Sequence, residues 1–393
     1  MDPRRCKART ALLAAVLALS LCAPCAAAGD YPISVILPLT GPAAYVGQLE
    51  QESLRVYQGV VNKTGGIRGT PVRFAFLDDQ SSPQIAVQLA NQIKESKPAV
   101  MIGSAIVAMC AAIAPLVAAD GPLQYCLSPG FSPKPNSYSF ASSPALEGIT
   151  QAMVRFLRGR GYERLAVISA TDASAQEADR MTLKTLALPE NAALKSVAYE
   201  HFNNGDLTVA AQIGRIKAAG AQAMIVYASG PSFANIIRAM KDTGFDIPVV
   251  TSTANYIPTL LAQYHDMLPT ELLFNGFAYQ AGSYLGKGSL RQAATEFTDA
   301  YKTAGLQPNP VGALAWDPAK IIVSALRALG PSATAAQVQR WVLDLHGYSG
   351  VMGTYDLRRG DQHGLAQSDV VIIKWDAKRG DATPASRLGG APL

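Results

Sequence analysis

The sequence predicts an α/β protein built on two similar wound parallel sheets, each covered by helices, and three observations carry that prediction. Short β-rich apolar runs alternate with longer stretches of helical periodicity along most of the chain. The alternation stops at a loop rich in Pro, Ser and Asn, 128–144, and then restarts. With 393 residues, 49% hydrophobic and only 16% charged, the chain has the apolar material for two lobes. That composition excludes intrinsic disorder, a coiled coil and a disulfide-dense mini-protein.

In the first half, strands are predicted at 33–37, 72–77, 100–102 and 123–126. A helix at 45–62 offers Leu49, Leu54, Val56, Val60 and Val61 as its buried stripe. Ser81-Ser82 and Pro83 supply an N-cap and a first helical position for a helix running to about Glu95. Beyond the 128–144 loop, helices at 146–160, 175–186, 207–219 and 232–243 alternate with strands at 165–169, 194–200, 223–227 and 248–251. A further strand is read at 274–278. Helices then dominate at 290–304, 316–329 and 335–345, followed by strands at 353–357 and 370–375 joined as a late hairpin through Arg358-Arg359-Gly360-Asp361. Two such halves imply two lobes crossed more than once by the chain, with a ligand cleft beyond the strand ends where helix N-termini present free N–H groups.

The 21 uncharged residues 99–119 are long enough to span a bilayer. Gly103-Ser104 and Pro115 interrupt them, and no Trp or Tyr marks either edge, so they read better as a short buried strand, a turn and an Ala-rich helix. The N-terminus has the pattern of a cleaved secretory signal: bases from Arg4 to Arg9, an apolar run 11–21, and Ala26-Ala27-Ala28. Cleavage is expected after Ala28, giving a soluble periplasmic protein. Lipid attachment at Cys22 or Cys25 is the alternative, disfavoured because neither has a small residue before it. The formal charge of +5 falls to +2 without the first 28 residues, and no basic cluster offers a footing for nucleic acid. Cys110 and Cys126 are the cysteines left after cleavage, and they read either as one disulfide or as two buried thiols.

Four segments then carry a resemblance. Residues 33–47 (ISVILPLTGPAAYVG), 62–71 (NKTGGIRGTP), Asp78-Asp79 with Pro83, and 350–357 (GVMGTYDL) followed by Arg359-Gly360-Asp361 resemble the type I periplasmic solute-binding proteins. The branch they look like is the leucine/isoleucine/valine-binding one, which serves ABC importers, and the similarity runs through essentially all of the chain after residue 28. It implies two Rossmann-like lobes joined by a three-crossover hinge near Ser143, Phe277 and Gly350. Residues 29–143 with 278–350 would form the N-terminal lobe, and 144–277 with 351–393 the C-terminal lobe. It also implies a small-molecule cargo handed unchanged to a membrane permease by a monomer that needs no cofactor or metal.

Carried over position by position, the family's ligand contacts fall on Tyr45 after the first strand and on the stretch after the third. There Ala105-Ile106-Val107-Ala108 replaces a common carboxylate-gripping Ser, leaving the N–H groups of Val107 and Ala108 with Ser104. After the fourth strand, Gly130, Phe131 and Ser132 form the second gripping loop, with Ser132 at the hydroxyl position. The second lobe contributes Asp172, Ser174, Tyr227, Ser229, Asn255 and, at the crossover, Phe277. Amino-acid binders of the family carry an acid after the eighth strand to receive the ligand ammonium; Thr251-Ser252-Thr253-Ala254-Asn255-Tyr256 has none. Asp172 is the nearest acid, and it reads equally well as a helix cap. The favoured cargo is therefore an aromatic or other non-amino organic acid, with Phe131, Tyr227, Tyr256, Phe277 and Tyr279 as a stacking wall or as ordinary packing. Branched-chain amino acids or amides are the alternative cargo, and a ligand sensor feeding a membrane receptor the alternative role. No H-E-x-x-H, G-x-S-x-G, phosphate loop or G-x-G-x-x-G occurs, which argues against an enzyme.

Overall fold

The computed structural model describes residues 29–393, so the expected signal segment lies outside the described residues. The first sheet is built from β1 (Tyr31–Leu37), β2 (Val72–Asp78), β3 (Val100–Gly103), β4 (Leu123–Cys126) and β5 (Ser139–Ala141), all parallel, in the order β2-β1-β3-β4-β5. Between them run α1 (Ala44–Lys63), α2 (Pro83–Glu95) and α3 (Val107–Val117). Ser82 caps α2 by accepting from the Ile85 N–H, with Pro83 opening the helix as expected. The apolar stretch 99–119 divides into β3 and the 11-residue α3, and no helix among the described residues is long and apolar enough to cross a membrane. Strand β5 was not anticipated; its three residues lie inside the Pro-, Ser- and Asn-rich loop.

The second sheet has seven strands: β6 (Arg164–Ala170), β7 (Lys195–Phe202), β8 (Ala223–Tyr227), β9 (Val249–Thr251), β10 (Leu272–Gly276), β13 (Val371–Asp376) and β14 (Asp381–Pro384). Their order is β14-β13-β10-β9-β8-β6-β7, with β13 antiparallel to both its neighbours. It is covered by α4 (Leu146–Gly159), α5 (Ala173–Leu186), α6 (Ala210–Ala218) and α7 (Pro231–Asp242), with the short α8 (Pro258–Gln263) before β10. Helices α9 (Ser289–Thr303), α10 (Pro310–Leu329) and α11 (Ala335–Leu343) return to the first sheet. There Phe297, Tyr301 and Trp316 pack with Tyr57 of α1 in one core.

Two expectations about the C-terminal part need correction. The strand at 354–356, β12, pairs with β11 (His346–Ser349) as a separate ribbon, whereas β13 pairs with β10 and β14, so 353–357 and 370–375 do not form one hairpin. The segment after Gly350 also stays with the first lobe: Val351, Met352, Tyr355, Leu357 and Leu365 are buried in the first core, and the second core is joined only at Val370. Burial of these apolar side chains, rather than the Gly350 turn, sets where the chain crosses.

Candidate functional site

A cavity of about 240 Å³ lies between the lobes, at the carboxyl ends of both parallel sheets. From the first lobe it is walled by Tyr45, Val46 and Glu50 of α1, by Ala105 and Ile106 before α3, by 127–130 after β4, and by Val311 and Leu314 of α10. From the second come Leu146, Ile149, Thr150 and Met153 of α4, and Asp172, Ser174, Ala175 and Ala178 at the start of α5. The ends of β8, β9 and β10 supply 227–229, 252–254 and Asn275. The walls are mainly aliphatic.

Local sequence explains how α1 reaches the cavity. The Asp78 carboxylate accepts from the Leu39 and Thr40 N–H groups and from the Thr40 hydroxyl, which fixes the β1–α1 loop. Gly47 then lets α1 lie against Pro38, where a Cβ would stand 2.2 Å from the carbonyl oxygen. Gly47→Ala is therefore expected to cost about 1–3 kcal/mol through overpacking, read as a lowered denaturant midpoint with an unchanged slope.

Six of the residues singled out from the sequence line the cavity: Tyr45, Gly130, Asp172, Ser174, Tyr227 and Ser229. Asp172 is spoken for. One oxygen accepts from the Ser174 and Ala175 N–H groups as the α5 cap, and the other from Asn204. The Tyr227 hydroxyl is 2.7 Å from that of Thr182. The remaining seven stand elsewhere. Ser104 is buried and donates to Asp79 at 2.5 Å; Asn255 donates to the Ala228 carbonyl and to Thr251, bracing the β8 and β9 ends. Phe277 is core. Phe131 packs against the disulfide joining Cys110 and Cys126, whose Cα atoms are 5.9 Å apart. Ser132 is exposed, Ala108 is exposed, and Val107 is half-buried beside Gly130.

The stacking wall is not assembled either. Of its five aromatics only Tyr227 lines the cavity, while Tyr256 bonds to Asp381 at 2.5 Å and packs on Phe274 and Trp375. Residues that sequence reasoning passed over take those places: Ser128, Thr150, Met153, Ser252, Thr253, Asn275 and Glu50.

Glu50 is the electrostatic oddity. It is fully buried, neither carboxylate oxygen has a hydrogen-bond partner, and no Lys, Arg or His lines the cavity among the described residues. Burial, reinforced by the nearby Asp79 carboxyl, pushes Glu50 well above the usual carboxylate range. Next to the lining residues Ala105 and Ile106, the N-terminus of α3 has no side-chain cap, so its first N–H groups are left without a side-chain acceptor. The site can thus accept an oxygen anion at one point and a donor at another, within apolar walls.

Residues 30–381 match the family model described as periplasmic binding protein. A Pseudomonas aeruginosa protein named amino acid binding protein is 23% identical over 371 residues, covering 90% of this chain and 92% of its own. Other matches are partial. The chain spans 18% of a Brucella melitensis Leu/Ile/Val-binding protein homologue, at 44% identity over 68 residues. It spans 59% of a P. aeruginosa leucine-, isoleucine-, valine-, threonine- and alanine-binding protein, at 24% identity and 56% of this chain. Among solved structures, a Thermotoga maritima leucine binding protein superposes with TM-score 0.74, at 18% identity over 91% of this chain and 98% of that one. A Rhodopseudomonas palustris solute binding protein in complex with benzoate gives 0.72, at 16% identity over 93% and 98%. These two show the fold. The chain belongs to the periplasmic binding protein family.

Proposed function

We propose that this protein captures a small carboxylate-bearing solute with an apolar body, by closure of the two lobes, and delivers it to the membrane permease of an ABC importer. The observation that carries the reading is the inter-lobe cavity, aliphatic on both walls and edged by the uncapped N-terminus of α3. A periplasmic location and a monomeric state belong to the same proposal. So does a binding rather than a catalytic role, which the family match supports.

Two cargo classes fit that description. Non-amino organic acids suit the acid-free 251–256 loop and the fully engaged Asp172. Aliphatic amino acids suit the aliphatic walls and the unpartnered Glu50. A thermal-shift screen of residues 29–393 against aliphatic amino acids, benzoate-type and phenylpropanoid acids and dicarboxylates tests the reading. A cargo at 100 times its Kd adds about 2.7 kcal/mol, and is expected to raise Tm by several degrees. A flat response across every carboxylate would refute carboxylate capture.

A further inference from the structure

We propose that Glu50 is the counter-charge for a cationic nitrogen on the cargo, so that this cavity takes α-amino acids through an acid on α1 of the first lobe rather than one beyond the β9 end. This rests on the carboxylate-capture reading above and names its class of solute. Three observations converge. Both Glu50 oxygens are buried against the cavity without a partner, a position that native proteins fill with a cation or a donor. Among the described residues no side chain supplies that cation: the ionisable residues lining the cavity are Glu50, Asp172, Tyr45 and Tyr227. Asp79, also fully buried, lies near enough to add to the negative potential, while its own oxygens accept from Ser104 and Ser81.

The labour divides between two features of the first lobe that border the cavity. The α3 N-terminus, next to Ala105 and Ile106, suits the carboxylate, and Glu50 the ammonium group. The 251–256 loop then needs no acid: Ser252 and its neighbours wall the cavity while Asn255 braces the strand ends. Burial raises the Glu50 carboxyl well above the usual carboxylate range, and an arriving ammonium group lowers it again, so that binding is coupled to proton release to solvent.

The test pairs each amino acid with its des-amino analogue: leucine with 4-methylpentanoate, valine with 3-methylbutanoate, phenylalanine with 3-phenylpropanoate. Binding of all six is measured by titration calorimetry to wild type and Glu50→Gln, a variant that keeps shape and volume. The expected result is that wild type binds an amino acid more tightly than its analogue, and that E50Q weakens the amino acid by about 100-fold while changing the analogue by less than threefold. Titration in phosphate and in Tris should show proton release with the amino acid and none with the analogue. Melting of unliganded E50Q at or above the wild-type Tm confirms that the variant folds. An unchanged amino-acid affinity in E50Q overturns the inference, as does equal proton release from both members of a pair. Wild type that binds only des-amino acids overturns it too, yet leaves carboxylate capture standing; wild type that binds none of these acids, nor any in the wider screen, overturns both.

Discussion

Replacing Asp317 by alanine is expected to destabilise the protein by at least about 3 kcal/mol, because three buried donors lose their acceptor at roughly 1–3 kcal/mol each. The carboxylate sits on α10, fully buried, and accepts from the Val351 and Met352 N–H groups at 2.9 Å and from the Tyr355 hydroxyl at 3.1 Å. The carbonyls of Val351 and Met352 in turn accept from Tyr279 and Ala278, where the chain has just left β10. Tyr355 also stands 3.5 Å from the Ser142 carbonyl, just beyond β5 on the segment that leads into α4. One side chain thus ties together the segments through which the lobes are joined, and Gly350 makes room for it: a Cβ there would lie 2.3 Å from the Asp317 oxygen.

The same group gives the effect a pH signature. Burial pushes the Asp317 carboxyl from 3.8 to about 6, against the pull of its hydrogen bonds. Between about pH 4 and 6 the unfolded chain releases a proton that the folded protein keeps. Its contribution is therefore complete below about pH 4 and declines as pH rises through 6. Asp317→Ala lacks that decline, so the stability gap between wild type and variant should narrow from pH 4.5 to pH 7.5 in denaturant melts. A gap that widens with pH would mean that the folded-state carboxyl is held ionised instead.

How much of this was legible in the sequence depended on whether one face or two had to be chosen. Short strands buried on every residue and largely apolar, such as β8 and β4, and helices that carry their own cap, such as α2, were readable to within a residue. Helix α1 was found, but its phase was misjudged. Leu49, Val56 and Val60 are only half-buried, while Gly47, Glu50, Ser53, Leu54, Tyr57 and Val61 face inward at three- and four-residue spacing. The periodic signal was present, but two polar residues in that row made the other face look more apolar. Glu50 was lost to the same misjudgement. Helix α10 begins six residues before the expected start, at Pro310 in its first position with Asn309 as its cap, an N-terminal signal that went unread. For the site, loop order placed the cavity correctly, but not which side chain of each loop turns inward. Asn255, Phe131 and Phe277 belong to loops or crossovers that border the cavity, and packing turned each of them away.

Gly130→Leu is expected to weaken cargo binding by roughly 10- to 100-fold, the equivalent of 1–3 kcal/mol of overpacking, while leaving the unliganded Tm unchanged. Gly130 lies on the loop after β4, and Ser174 opposes it from the start of α5 on the other lobe. A Cβ at 130 would stand 3.4 Å from the Ser174 hydroxyl oxygen and 2.9 Å from a Val107 methyl. The first of those contacts crosses the cleft and exists only while the lobes are together, so the lobes can relieve it by separating. The second involves the end of a side chain, which can rotate. Leucine adds three more carbons to a gap of that size, and opening the cleft costs only the contacts made across it. The strain should therefore fall on closure rather than on folding. Small-angle scattering gives the direct comparison. Saturating cargo is expected to compact wild type and to leave Gly130→Leu extended, with Gly130→Ala between the two. Tight binding and full compaction in the leucine variant would show that closure does not bring these two loops together.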